Sequence, residues 1–463
     1  MNLAAPRVGL LPLYAKLYDD FLPERRAECE TVLREASEGL ARRGAEVEAS
    51  GVVRTAAEAG AAIRRFETAR VDALVTLHLA YSPSLESAPA LTRSALPLVL
   101  LDTSPDAAFG TNADPARIMA NHGVHGVMDL ASVLRRRGRA FEVVAGHLRE
   151  SRALDRVIEL ARAGRAARAL RGMRVARIGS AFPGMGDFAV TPATLREAFG
   201  IEARQAFPAV LAKAMATVSD RAVRAEMALD RERYEVRADE KVHRRAVRVG
   251  LALREWIGRQ GLGAFSVNFL AFQDPRGPAM PFLEISKALA RGTGYAGEGD
   301  LLTAALVGAL AQGFGGTTFT EVFCADWRGN HLFLSHMGET NPDLAPDRPR
   351  VVAKSYPFLK SGPAAAIVAG IRAGPAIYAN LVPGSRGTFE LIVAPVEMMP
   401  DTERDDLREV VRGWMRPAHL PVPRFLEEYS RRGGTHHAAL VLGDRAEAVA
   451  AFARFAGIPA VTL

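Results

Sequence analysis

The sequence predicts an α/β protein: two Rossmann-like parallel α/β domains followed by a mostly antiparallel β C-terminal domain. Three observations predict it. Short apolar runs alternate with helical periodicity through the first third of the chain; the same alternation restarts at a strand just after Gly172; and beyond Gly316 strands follow one another without long helices between them. A chain of 463 residues is about three times a typical domain, so two or three cores are expected.

The elements support this in order. Residues 8–11, 47–53, 73–79 and 96–101 are apolar runs of strand length, and the segments between them, beginning with 24–43, carry helical periodicity. Continuous apolar strands joined by helices form a parallel sheet covered on both faces, because right-handed crossovers place helices above and below it. A charged helix over 149–171 ends at Gly172, and a strand at 174–178 opens the second region. After an apolar helix at 301–311, strands are expected at 318–324, 331–336, 389–393 and 438–442. The predicted domains are therefore 1–170, 171–316 and 317–463, and neither internal repeat nor low-complexity segment interrupts them.

Composition narrows the function. Hydrophobic residues at 49% and charged residues at 24% are the balance of an ordinary globular chain. The net charge of +7 does not imply nucleic acid, since the basic residues are scattered and the densest runs, at Arg135 to Arg137 and Arg244 to Arg245, read as solvated helix faces. Cys29 and Cys324 form no CxxC or zinc spacing, so reduced thiols and a cytoplasmic location are expected. Neither a signal-peptide pattern nor a run approaching the ~18 apolar residues of a membrane span is present, so no membrane partner is expected.

Several local chemistries are absent: HExxH, a GxSxG elbow and a Walker lysine loop. The glycine-rich stretch Gly179 to Asp187 follows a strand, but its spacing is not that of a dinucleotide loop and Pro183 interrupts it. More informative is Gly297-Glu298-Gly299-Asp300, directly before the helix. Asp300 is a natural N-cap, which leaves Glu298 exposed on a tight loop. Glu321 and His336 fall inside apolar strands, where a polar side chain needs a partner. His436 and His437 lie between Gly433-Gly434-Thr435 and an apolar strand, so one imidazole can face inward while the other faces away. Taken singly, each of these groups reads as a hydrogen-bonded core residue. Together they offer two carboxylates and two imidazoles, an O/N set that suits Mn²⁺ or a similar octahedral cation with two positions left for adjacent substrate oxygens.

At these residues the sequence resembles the L-arabinose isomerase family and its L-fucose isomerase relatives. The segments are 294–305 (GYAGEGDLLTAA), 319–321 (FTE), 334–342 (LSHMGETNP) and 433–437 (GGTHH), in the family's order. The resemblance implies that Glu298, Glu321, His336 and His437 hold a divalent cation, Mn²⁺ or another such as Co²⁺ or Mg²⁺. It also implies that the two glutamates are catalytic. A weaker likeness upstream marks His125, within Asn121-His-Gly-Val-His-Gly126, together with Tyr14 and Met185, as substrate-binding residues. It further implies a homo-oligomer with sites completed between subunits, and an aldose–ketose isomerase of the L-arabinose or L-fucose type working through an enediol on a small sugar. The alternatives are a metal-assisted epimerase or aldolase on a related sugar, or a non-catalytic sugar-binding or regulatory protein. One departure stands out: Leu10-Leu11-Pro12 occupies the place of a polar Gly-Ser-Gln segment before the Leu13-Tyr14 pair.

Overall fold

The computed structural model describes residues 3–401 and 407–463. The chain divides into two compact units, Ala4–Arg168 and Ala169–Leu463, the second including Leu3.

In the first unit, β1 (Arg7–Leu13), β2 (Glu46–Ala49), β3 (Ala73–His78), β4 (Leu98–Asp102) and β5 (Glu142–Ala145) form one sheet in the order β2-β1-β3-β4-β5. All neighbours are parallel, as the alternation of apolar runs and helices predicts. β3 is buried along its whole length and β4 nearly so, which is why both read as unbroken apolar runs rather than alternating ones. The helix Ala56–Ala69 starts at a capping box, with Thr55 accepting from the Glu58 N–H and Glu58 reaching back to the Thr55 N–H. Its Phe66 packs into a cluster with Leu74, Leu100 and Leu130. Burying a side chain of that size contributes about 1.5–3 kcal/mol. β5 carries only Glu-Val-Val-Ala, half exposed, and so left no apolar signal in the sequence.

In the second unit, β6 (Arg174–Ile178), β7 (Glu202–Ala206), β9 (Ala264–Val267) and β10 (Gly294–Gly297) form a four-stranded parallel sheet in the order β10-β9-β6-β7. The short β8 (Glu235–Val236) joins β13 (Arg350–Lys354) and β14 (Ala364–Val368) in a separate three-stranded sheet.

The remaining strands are β11 (Thr317–Asp326), β12 (His331–Ser335), β15 (Gly374–Pro383), β16 (Phe389–Met398), β17 (Gly413–Pro417), β18 (His437–Leu442) and β19 (Ala460–Thr462). Their order is β15-β18-β11-β12-β17-β16, and β16 also pairs with β15, so six antiparallel strands close into a barrel. β19 adds in parallel along β16. Alternate residues of these strands, among them Leu332, Leu334, Tyr378, Ile392, Val396, Ala438 and Leu440, form one apolar cluster.

The helix Leu301–Phe314 packs against both β9 and β10 of the parallel sheet and β11, β15 and β18 of the barrel. It is buried nearly all round, with only Gln312 among its residues reaching solvent, and its composition is correspondingly apolar on every face. Its first turn and the near ends of β11, β12 and β18 carry the polar residues the sequence singles out.

Candidate metal centre

Glu298 sits in the connection between β10 and the helix Leu301–Phe314, and both glycines beside it are required. A Cβ on Gly297 would stand 2.9 Å from Cε1 of His336, and one on Gly299, whose φ is +88°, would stand 2.6 Å from the Ser180 carbonyl oxygen. Glu298 itself has φ 60°, left-handed backbone that costs a non-glycine residue about 1–3 kcal/mol. The surroundings hold it there. Its N–H donates to Val267 O at 3.0 Å, and its carbonyl accepts from the Phe182 N–H at 2.9 Å. The Gly299 N–H donates to Ser266 Oγ at 2.9 Å. Glu298 is not exposed as expected: it is 8% accessible, because the same contacts that fix the loop also fold the β6 connection over it.

The barrel supplies the other groups. Glu321 on β11 faces His437 on β18 across one rung of the antiparallel ladder, and on its other side it faces Ser335, the residue before His336. Glu321 Oε1 lies 2.9 Å from His437 Nε2 and 3.2 Å from His336 Nε2. Glu298 Oε2 lies 3.6 Å from His437 Nε2 and 3.6 Å from His436 Nε2. The structure thus brings Glu298, Glu321, His336 and His437 together and adds His436. The ligand atoms that lie within 4.8 Å of one another are those of Glu298, Glu321, His436 and His437. This group has His436 where the sequence set has His336, which approaches through Glu321. The expectation that one imidazole of the adjacent pair faces away does not hold, since both turn Nε2 toward Glu298.

Each imidazole is held from behind by a carboxylate at Nδ1. Glu339 Oε2 is 2.6 Å from Nδ1 of His336, Asp300 Oδ2 is 3.0 Å from Nδ1 of His437, and Asp187 Oδ2 is 2.6 Å from Nδ1 of His436. Glu339 is itself tied by the Tyr295 hydroxyl at 2.8 Å. Asp300 caps the helix by accepting from the Thr303 N–H with its other oxygen at 2.9 Å. An Nδ1–H donated to a carboxylate leaves Nε2 to face the shared space, the usual arrangement behind a metal-binding histidine. Aromatic rings complete the walls. Phe188 stacks on His437 with centroids 4.8 Å apart and an 8° tilt, and Phe319 meets both His336 and His437 edge-on at 4.9 Å.

Electrostatics follow from this packing. Burial alone would raise the Glu321 carboxyl, but the imidazoles of His336 and His437 outweigh it and hold it well below the usual range. Burial would lower His336, and Glu339 and Glu321 instead push it well above its ordinary value. His437 is raised in the same way by Asp300 and Glu321. His436, partly buried, is raised to about 10 by Asp187 and Glu298 against the effect of burial.

The donors fit a divalent cation. Glu298 Oε2 and His437 Nε2 are buried polar atoms with no hydrogen-bond partner, 3.6 Å apart. His437 Nε2 is close to Glu321 Oε1 yet off the direction of a hydrogen bond. Buried polar atoms that converge without bonding one another have the spacing of ligands around a common centre, and hard oxygen with imidazole nitrogen suits a divalent ion.

The other expected residues lie as follows. Tyr14, just after β1, is fully buried, edge-on to Tyr18 at 5.4 Å, and burial pushes its phenol up to about 12. His125 is exposed on the helix Gly123–Arg136, edge-on to Tyr81 at 6.5 Å and to His122 at 6.2 Å. Both belong to residues 4–168. Met185 is partly buried on the loop after β6, in the unit that holds the carboxylates. Sequence reasoning missed Asp187, Phe188, Glu339 and the second oxygen of Asp300. Only Glu339, three residues after His336, had a local signal. Cys29 is buried and Cys324 exposed, both as free thiols. Among the described residues no helix is long and apolar enough to cross a membrane.

The model of the L-arabinose isomerase central domain matches residues 174–313, and that of the L-arabinose isomerase C-terminal domain matches residues 316–459. L-arabinose isomerase 1 of Bacillus licheniformis is 32% identical over 222 residues, which are 47% of this chain and 44% of that protein. The L-arabinose isomerase of Herpetosiphon aurantiacus is 28% identical over 359 residues, 73% of this chain and 69% of that protein. That of Thermotoga petrophila is 28% identical over 396 residues, 81% of this chain and 77% of that protein. The match therefore spans less than half of the first relative's length and more than two thirds of the other two. With both matched domains meeting at the carboxylate–imidazole cluster, this chain belongs to the L-arabinose isomerase family of sugar isomerases.

Proposed function

We propose that the chain is a cytoplasmic aldose–ketose isomerase that interconverts an aldopentose or aldohexose of the L-arabinose or L-fucose type with its ketose, dependent on Mn²⁺ or a similar divalent ion. The observation that carries this reading is the pair of buried, unpartnered ligand atoms, Glu298 Oε2 and His437 Nε2, among three carboxylate-backed imidazoles. Glu298, Glu321, His336 and His437 would hold the ion, which when bound supplies Lewis-acid polarisation of a sugar carbonyl and its neighbouring hydroxyl. Glu339 and Asp300 fix the directions of the His336 and His437 imidazoles.

Isomerisation moves one proton from C2 to C1 and one between the two oxygens, through an enediol, so two groups must exchange protons with the substrate. Glu321 is committed to two imidazoles through Oε1. Glu298 keeps an oxygen free and is the better placed base for carbon. The buried walls of Phe188 and Phe319 exclude water from that transfer. His125, exposed beside Tyr81 and His122, serves the site of a neighbouring subunit in a homo-oligomer.

The test is an aldose panel assayed for ketose with chelator-stripped protein, with and without Mn²⁺. Conversion restored by Mn²⁺ in the wild type and absent in Glu298→Gln supports the reading. A protein that binds no divalent ion overturns it.

A further inference from the structure

The loop after β6 makes two consecutive contacts with the adjacent histidines. Asp187 Oδ2 takes the His436 backbone N–H at 3.0 Å and lies 2.6 Å from its Nδ1, while the next residue, Phe188, lies flat on His437. The two imidazoles are not equivalent. The His437 side chain is fully buried, whereas that of His436 is 36% exposed, at the solvent-facing edge of the cluster, with Nε2 3.6 Å from Glu298 Oε2. Two bonds from one carboxylate oxygen fix both the backbone and the ring of His436, so its free nitrogen has a single direction.

The geometry points to Asp187 as a positioning residue that presents His436 Nε2 to a hydroxyl of the open-chain sugar beside Glu298. This deepens the isomerase reading and rests on it. A hydroxyl is the matching chemistry, because it both donates and accepts and so satisfies Nε2 in either tautomer. An edge position suits a group that meets a ligand entering from solvent. The loop that carries Asp187 also has room to vary: a side chain added at Gly186 would meet no atom within 4 Å. The hydroxyl contact is thus set by a segment separate from the barrel strands that supply Glu321, His336 and His437. Asp187 is a specificity element acting through His436.

The experiment uses the full-length Mn²⁺-loaded protein and calorimetric binding of L-arabinitol, an open-chain polyol that cannot turn over, alongside Mn²⁺ affinity of the stripped protein. Asp187→Ala and His436→Asn are each expected to weaken the polyol at least tenfold while leaving Mn²⁺ binding at 1:1 and within about threefold of wild type. The double variant is expected to be no weaker than His436→Asn alone, since residues acting in one network are not additive, and Asp187→Glu is expected to recover part of the loss. In the aldose assay the same variants raise KM more than they lower kcat. An additive double variant overturns the inference, as does a tenfold loss of Mn²⁺ affinity in His436→Asn, which would make His436 an ion ligand. Failure of wild type to bind the polyol also overturns it. Wild type that converts no aldose, yet binds the polyol through Asp187 and His436, overturns the isomerase reading and leaves the positioning role standing.

Discussion

Two groups of buried charge lie in the unit formed by residues 169–463, and they are settled in opposite ways. Among the helices Asp220–Arg233, Glu240–Gln260 and Phe282–Ala290, the inward carboxylates Glu226, Asp230 and Glu284 each have a cation. Arg254 bridges Glu226 at 2.6 Å and Glu284 at 2.8 Å; Lys287 meets Glu226 at 2.8 Å and also Asp230; Arg291 meets Glu284; and His243 Nε2 lies 2.9 Å from Asp230. Burial would raise the Glu226 carboxyl, but Arg254 and Lys287 bring it down to about 2. At the candidate metal centre, Glu298, Glu321, Glu339, Asp300 and Asp187 face three imidazoles, and among the described residues none of these carboxylates is paired with a lysine or arginine. The first group is closed and needs nothing further. The second lacks positive charge, which protons or a cation must supply.

That contrast can be broken at its strongest point first. Glu298→Gln should lower turnover by about 10²–10⁴-fold, the range for a lost proton-transfer group, with little change in urea midpoint, because Glu298 Oε2 makes no hydrogen bond. A variant as unstable as a core deletion would show that Glu298 holds the fold and not the chemistry. In the closed network the same kind of change should do the reverse. Lys287→Met leaves Glu226 with Arg254 alone and Asp230 with only His243, and should cost about 3 kcal/mol in urea unfolding, with 1:1 Mn²⁺ binding kept by the folded protein.

A smaller effect sharpens the comparison. Glu339→Gln leaves every proposed ligand in place and removes only the backing of His336, so Mn²⁺ affinity should fall about 10–100-fold, measured by competition with a chelating dye. Unchanged affinity would show that Phe319 alone fixes the ring.

The mildest test is pH. In the metal-free protein His336, His436 and His437 are all raised, His436 to about 10. A raised folded pKa contributes stability that is fully present below the ordinary histidine value near 6.5 and is lost as pH rises through the folded value. Metal-free protein should therefore lose urea resistance between about pH 6.5 and 10. The ion needs neutral imidazoles, so its affinity should rise with pH, and binding should release protons detectable by calorimetry in buffers of different ionisation heat. Stability independent of pH over that window would mean that the imidazoles are neutral without metal.

The parts legible in the sequence were those with local causes. Gly297-Glu298-Gly299-Asp300 announced a tight turn and a cap, and Glu321 and His336 stood out because strands of apolar residues make a polar side chain conspicuous. The unbroken apolar runs of β3 and β4 gave the parallel sheet. What could not be read was set by contacts distant along the chain. Asp187 meets His436 across 249 positions, and Asp300 meets His437 across 137. The closing pair of the barrel, β15 with β16, depends on strand order, which hydrophobic spacing does not encode. Glu298 was expected at the surface because flanking glycines suggest an open loop; here they are small so that His336 and the Ser180 backbone can press against it.

Asp300 ties two events into one. One of its oxygens starts the helix Leu301–Phe314 and the other aims His437, so fraying of that first turn releases the imidazole at the same moment. Because this helix lies between the parallel sheet and the barrel, it opens only when the whole unit does. Heat inactivation should then track melting of the unit formed by residues 169–463, and the upper working temperature of the catalyst would be set by that same transition.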